Sequence, residues 1–154
     1  MQVFICDRMM SKSAQILDNK RLNKQIVEAF QIVEDRLPNF NHPAYLFWKN
    51  YKEELRMYMF YLCMEYKHRF GKEHKCSSVC LNPTINSFSF ILDFELVFLS
   101  HKVNLLRKNY EWYSKFFEVE TSLDMYPEGY FWIVPYAKSS QKSTKEWIIF
   151  IDYD

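Results

Sequence analysis

The chain has 154 residues, 49% hydrophobic and 19% aromatic, with a formal net charge of +1 and only two glycines, Gly71 and Gly129. The length is that of a single domain, here 1–154 with 136–154 as a C-terminal extension, and the scarcity of glycine favours helices joined by short loops. Balanced charge excludes a global basic field, and no apolar run reaches the roughly 20 residues of a membrane span.

Residues 2–6, QVFIC, are short and β-prone. The stretch MQVFICDRMM lacks the charged start and small-residue cleavage site of a signal peptide. Residues 11–37 read as one long amphipathic helix. Leu22, Ile26, Ala29, Phe30, Val33 and Leu37 recur at three- and four-residue steps, Ser11 or Ser13 can cap the start, and Pro38 stops the far end. Its other face carries Lys20, Arg21, Lys24 and Glu28, preceded by Asp18 and Asn19. A turn, PNFNHP (38–43), leads into a second long helix from Ala44 to about Phe70, ended by Gly71. Its stripe Trp48, Tyr51, Leu55, Tyr58, Met59 and Leu62 has helical spacing and reads as core packing.

Residues 71–87 form a polar connector without a sustained period. Residues 88–99, FSFILDFELVFL, suit a buried helix, with a strand over 88–92 as the alternative. The segment 100–117 either continues that helix or opens a new one at Ser100. Pro127, Gly129 and Pro135 punctuate an aromatic run, 138–145 reads as an exposed loop, and EWIIFIDYD is β-prone. The fold class is therefore mainly α: a compact helical bundle in which the two strand-like chain ends can pair as a small two-stranded element.

Two constellations invite chemistry. One is the basic set Lys20, Arg21 and Lys24 with His101, Lys102, Arg107 and Lys108, which makes a phosphate patch if the two segments converge; surface charge of no special use is the alternative. Tyr110, Trp112 and Tyr130 can stack on exposed bases. The other is His74, Cys76 and Cys80, with His68 nearby. The spacing His-x-Cys-x₃-Cys is not a usual zinc pattern, so we expect no metal and read the four cysteines (Cys6, Cys63, Cys76, Cys80) as reduced thiols of a cytosolic protein. A Gly-rich phosphate loop, a Gly-x-Ser-x-Gly elbow and a His-Glu-x-x-His pair are all missing from the sequence. No cofactor is called for.

In order, LDNKRLNKQIVEA (17–29), NHPAYLFW (41–48), SHKVNLLRKNYEWY (100–113) and YPEGYFWIVP (126–135) resemble the blocks of the pyrimidine-dimer DNA glycosylase family, the endonuclease V type of dimer-excision proteins. The first and third blocks are the specific ones. The resemblance implies a compact, mostly helical fold that excises damaged pyrimidines and then nicks the strand at the abasic site. It also implies that the nucleophile is the chain's terminal amine, which forms a Schiff base with the sugar. Gln2 is not small, so initiator Met1 is expected to stay and to supply that amine. Arg21 is followed by Leu22, whereas the characterised enzyme has a glutamate directly after this arginine. The remaining carboxylates on the helix are Asp18, the first choice for the catalytic acid, and Glu28, the second. Asn19, Lys20, Arg21, Lys24, His42, His101, Lys102, Asn104, Arg107 and Lys108 are the implied nucleic-acid or phosphate contacts.

Two further readings stand beside this one: a non-catalytic nucleotide or nucleic-acid binder on the same scaffold, and an interaction protein whose aromatics face a partner. The partner is then damaged duplex DNA or a nucleotide, with no membrane, in the cytoplasm, nucleoid or a viral factory. Residue usage rich in Lys, Asn, Phe, Tyr and Ile fits an AT-rich genome such as a virus's.

Overall fold

A computed structural model describes residues 2–118, 123, 126, 128–135 and 146–151. Met1 and the expected 138–145 loop lie outside the described residues. The chain divides into two units, Met1–Phe88 and Ser89–Asp154. Among the described residues, six α-helices and one strand pair make the fold mainly helical, as expected.

In the first unit the expected 11–37 helix is two helices, α1 (Met10–Ile16) and α2 (Asn19–Val33). Leu17 takes an extended backbone and is buried, and Asp18 then caps α2 by accepting the backbone N–H of Arg21 at 2.9 Å. An aspartate in a cap position satisfies an otherwise orphaned amide, which is why the helix restarts there. The carbonyls freed at this corner are taken by one side chain from far along the chain. Arg69 donates through Nη1 to the Leu17 carbonyl at 2.6 Å and through Nη2 to that of Gln15 at 2.8 Å, while its Nε holds Glu65 at 2.8 Å. Past Val33, Asp35 has φ of 53°, a left-handed conformation that stops α2 before Pro38.

The second long helix is likewise interrupted. Pro43–Trp48 forms α3, capped by His42 Nδ1, which accepts from the Ala44 N–H at 3.2 Å; Lys52–Phe70 forms α4. Glu53 and Glu54 sit in the first turn of α4, and Lys67, His68 and Arg69 in its last, the arrangement that complements the helix dipole. Gly71, at φ 68°, terminates it as expected. The core of this unit is the stripe Trp48, Leu55, Tyr58, Met59 and Leu62 with Leu22, Ile26, Ala29 and Ile32 of α2. Residues 71–87 contain one short 3₁₀ turn, Ser77–Val79.

In the second unit α5 runs unbroken from Phe94 to Lys108, so the segment after Ser100 continues the helix; residues 88–92 are not a strand. Asn109 ends α5 and caps the short α6 (Tyr110–Tyr113), its Oδ1 accepting from the Trp112 N–H at 3.3 Å. Strands β1 (Tyr130–Pro135) and β2 (Glu146–Ile151) pair in parallel, with Tyr130 opposite Glu146. The strand partner of the C-terminal segment is thus β1. Residues 2–6, expected to pair with it, form no strand; side chains take their amides instead, as described next. Ser100 and Asn104 moor β1 to α5. The Phe131 N–H donates to Ser100 Oγ at 3.0 Å, and Asn104 Nδ2 donates to the Gly129 carbonyl at 2.6 Å and the Ser100 carbonyl at 2.7 Å. No helix of the described residues is long and apolar enough to cross a membrane.

Candidate active site

A segment that lies outside any sheet leaves its backbone amides to be satisfied by side chains. Residues 2–6 do this against α2 and α1. The Gln2 N–H donates to Glu28 Oε2 at 2.9 Å, the Phe4 N–H to Gln25 Oε1 at 2.9 Å, and the Cys6 N–H to Ser13 Oγ at 2.8 Å. Tyr58 extends the chain of bonds from α4. Its hydroxyl donates to the Phe4 carbonyl at 2.9 Å and lies 2.7 Å from Ser13 Oγ, so Ser13 donates to Tyr58 while accepting from Cys6. Phe4 lies at Gln25 and Gln2 one helical turn further on at Glu28. From residue 2 to residue 4 the chain therefore runs along α2 towards that helix's N-terminal end.

Gln25 and Glu28 of α2 meet this segment, and Arg21 and Lys24 precede them by one helical turn, each at a four-residue step. Glu28 is 9% exposed, and besides the Gln2 amide its other oxygen lies 3.7 Å from Lys24 Nζ. Asp18, also buried, uses Oδ1 for the helix cap and Oδ2 for Arg21 Nη1 at 2.6 Å. Its charge reaches the N-terminal segment as well: burial above all, opposed by the Ser13 hydrogen bond and reinforced by the charges of Asp18 and Asp7, pushes the Cys6 thiol up. Lys20 and Lys24 are exposed, and so is Asn19, whose Oδ1 accepts from Arg69 Nη1 at 3.1 Å.

The other expected site residues are placed differently. His42 is the α3 cap. The second basic segment falls in the second unit, and there most of its polar groups hold the fold. His101 is fully buried, with its ring edge-on to Tyr130 and Trp132 at 5.5 and 4.9 Å. Burial pushes its pKa down to about 3, so the ring is neutral at physiological pH and a phosphate contact by this side chain is not supported. Lys102 holds its ammonium 4.6 Å from the Phe98 ring centre. Arg107 donates to the carbonyls of Leu123 and Tyr126, and Asn104 moors β1. Lys108 is exposed. A small cleft of about 200 Å³ lies among Asn104, Arg107, Lys108, Glu128, Gly129 and Tyr130.

The histidine–cysteine candidate is a structural joint. His74 Nδ1 accepts from the Cys76 N–H at 3.0 Å, which leaves Nε2 to donate to Asn23 Oδ1 at 3.1 Å. Both ring nitrogens are therefore engaged, and desolvation, helped by the Lys75 charge, lowers the His74 pKa. Among the described residues no group of three His, Cys, Asp or Glu is placed to hold a metal ion.

Sequence reasoning missed Gln25, Ser13 and Tyr58. Gln25 had a readable signal: it sits between Leu22 and Ile26 on the buried stripe, and a polar residue at a core position needs a partner. Comparison with protein families matches residues 1–78 to the family described as pyrimidine dimer DNA glycosylase; the blocks at 100–113 and 126–135 lie beyond that match. Neither the curated proteins nor the solved structures compared with the chain give a match.

Proposed function

The chain belongs to the pyrimidine dimer DNA glycosylase family, and from that premise we propose that it excises damaged pyrimidines from DNA and then cleaves the abasic strand, with the α-amine of Met1 as nucleophile and Glu28 as the acid–base group beside it. The observation that carries this reading is the 2.9 Å hydrogen bond from the Gln2 N–H to Glu28 Oε2. Gln2 is one peptide unit from the terminal nitrogen, and consecutive residues are only ~3.8 Å apart. Among the described residues, Glu28 is the carboxylate hydrogen-bonded at residue 2, the neighbour of that amine in the chain. We place Glu28 ahead of Asp18 because Glu28 bonds the backbone of residue 2, whereas Asp18 serves the α2 cap and Arg21.

An α-amine titrates near 7.7–8.0, so roughly a tenth of it is a free nucleophile at pH 7. It attacks C1′ of the damaged nucleotide as the base departs with the glycosidic electron pair. Glu28 stabilises the cationic sugar and takes the proton that the amine loses. Opening of the sugar leaves an iminium at C1′. Loss of a C2′ proton then expels the 3′ phosphate, and water releases the enzyme. Arg21, Lys20, Lys24 and Asn19 hold the flanking phosphates on the first unit, and exposed Lys108, at the α5 cleft, offers a phosphate contact on the second. Extruding a damaged nucleotide is favoured because it is already poorly stacked.

Borohydride reduction in the presence of abasic DNA tests the proposal. The expected result is a covalent adduct that peptide mapping assigns to the α-amine of residue 1, lost in Glu28→Gln while the fold is retained. An adduct on Lys20 or Lys24, or no adduct together with salt-insensitive nucleotide binding, would replace it with a different lyase or with the non-catalytic reading.

A further inference from the structure

The connector after α4 brings a second reactive pair together within the first unit. Cys63, on the buried side of α4, and Cys80, just past the 3₁₀ turn, share a hydrogen bond with their sulfurs 3.6 Å apart. Both are free thiols. Cys80 is half-exposed, whereas Cys63 is buried, so an external reagent reaches the pair through Cys80. Arg56 lies beside it: its Nη1 donates to the carbonyl of Val79 at 3.0 Å, and its Nη2 holds Glu34 at 3.1 Å. Glu73, paired to Lys67 at 2.6 Å, is the acidic group on the other side.

From this geometry we propose that Cys63 and Cys80 form a reversible redox pair whose disulfide clamps the 71–80 connector onto α4. The Cys63 hydrogen bond, followed by the Arg56 charge, lowers the Cys80 pKa against the opposing effects of burial and Glu73. The same contact and burial raise that of Cys63. Cys80 is thus the attacking thiolate and Cys63 the resolving thiol.

The oxidant is a small-molecule disulfide. The Cys80 thiolate attacks one of its sulfurs, forming a mixed disulfide and releasing one small thiolate, which takes up the Cys80 proton. Cys63 then gives its proton to solvent and attacks the Cys80 sulfur, expelling the second small thiol. Two protein thiols are oxidised to one disulfide, and the small disulfide is reduced to two thiols. A disulfide at about 2.05 Å asks the sulfurs to close by roughly 1.5 Å, within reach of side-chain rotation. The clamped segment also contains His74, whose bond to Asn23 braces α2 beside Lys24. Oxidation therefore stiffens the support of the basic helix face.

The test uses the full chain treated with oxidised glutathione, trapped with an alkylating agent and mapped by peptide mass spectrometry. The expected product is a Cys63–Cys80 linked peptide, with two of the four cysteines lost to alkylation and both recovered on adding dithiothreitol. Cys63→Ser should instead stop at a stable mixed disulfide on Cys80, and Cys76→Ser should leave the linkage intact. Hydrogen exchange over residues 71–80 should slow in the oxidised chain. A wild-type product that halts at the mixed disulfide, a Cys76–Cys80 linkage, or a linkage formed only in denaturant would each overturn the proposal.

Discussion

The two units handle polar side chains in opposite ways. In the first, buried polar groups on helices, Glu28, Gln25 and Ser13, receive the backbone of a segment that belongs to no helix or sheet. In the second, Ser100 and Asn104 of α5 tie down a regular strand, and Arg107 donates to carbonyls of the chain that precedes it. Both patterns stabilise the fold. Only the first puts a carboxylate at the backbone of residue 2, and the family match of residues 1–78 falls wholly within that unit. Under the proposed function, the carboxylate at residue 2 carries the chemistry and the polar groups of the second unit's helix chiefly hold the fold.

The sharpest way to break this contrast is Glu28→Gln. The amide keeps an acceptor for the Gln2 N–H but removes the proton-accepting carboxylate, so trapping and strand cleavage should fall by about 10²–10⁴ with thermal stability nearly unchanged. A variant as active as wild type would move the catalytic acid elsewhere.

Next in size is the response of the second unit to acid. His101 is buried and neutral, with a folded pKa of about 3 against an ordinary 6.5. Its contribution is fully present above pH 6.5 and is lost as pH falls towards 3, because the unfolded chain gains a proton that the folded chain refuses. Urea denaturation over this window should show stability dropping by up to about 1.4 kcal/mol per pH unit. Replacement of His101 by a non-titrating residue of similar size should flatten that slope.

Asp18→Ala should cost about 1 kcal/mol, within the usual 0.5–2 for an N-cap, measured by thermal unfolding. Trapping by this variant should survive, because Asp18 serves the helix. The smallest effects separate the two basic sets. Lys24→Ala and Lys108→Ala should each reduce the salt dependence of duplex binding by about one unit of slope. If only Lys24→Ala does so, the second unit's cation is not at the DNA.

Much of the fold was legible because it rests on periodicity. The α2 stripe apart from Phe30 and the Trp48 to Leu62 stripe apart from Tyr51 are buried as their spacing predicts, and Gly71 ends α4. The breaks were not legible. Leu17 fits a helical stripe, and nothing local shows that Asp18 caps a new helix instead of continuing an old one; the corner depends on Arg69, which is remote in sequence. Residues 2–6 are β-prone and are expected to form a strand, but they form none, since Glu28, Gln25 and Ser13 take the amides of Gln2, Phe4 and Cys6 that a strand partner would need. In the proposed site, the charged face of α2 singles out Arg21, Lys24 and Glu28. Charge also points to His101, where the surrounding aromatic rings, invisible in a linear reading, override the polarity of the side chain.

The Arg69 fork carries a consequence for the order of folding. The carbonyls of Gln15 and Leu17 at the bend between α1 and α2 gain their side-chain donor only once α4 has brought a guanidinium some fifty residues along the chain. Such a long-range closure is entropically late. Phi-value analysis should therefore find probes in the middle of α2 well developed at the rate-limiting barrier and Arg69→Ala close to zero, raising the unfolding rate while leaving refolding almost untouched.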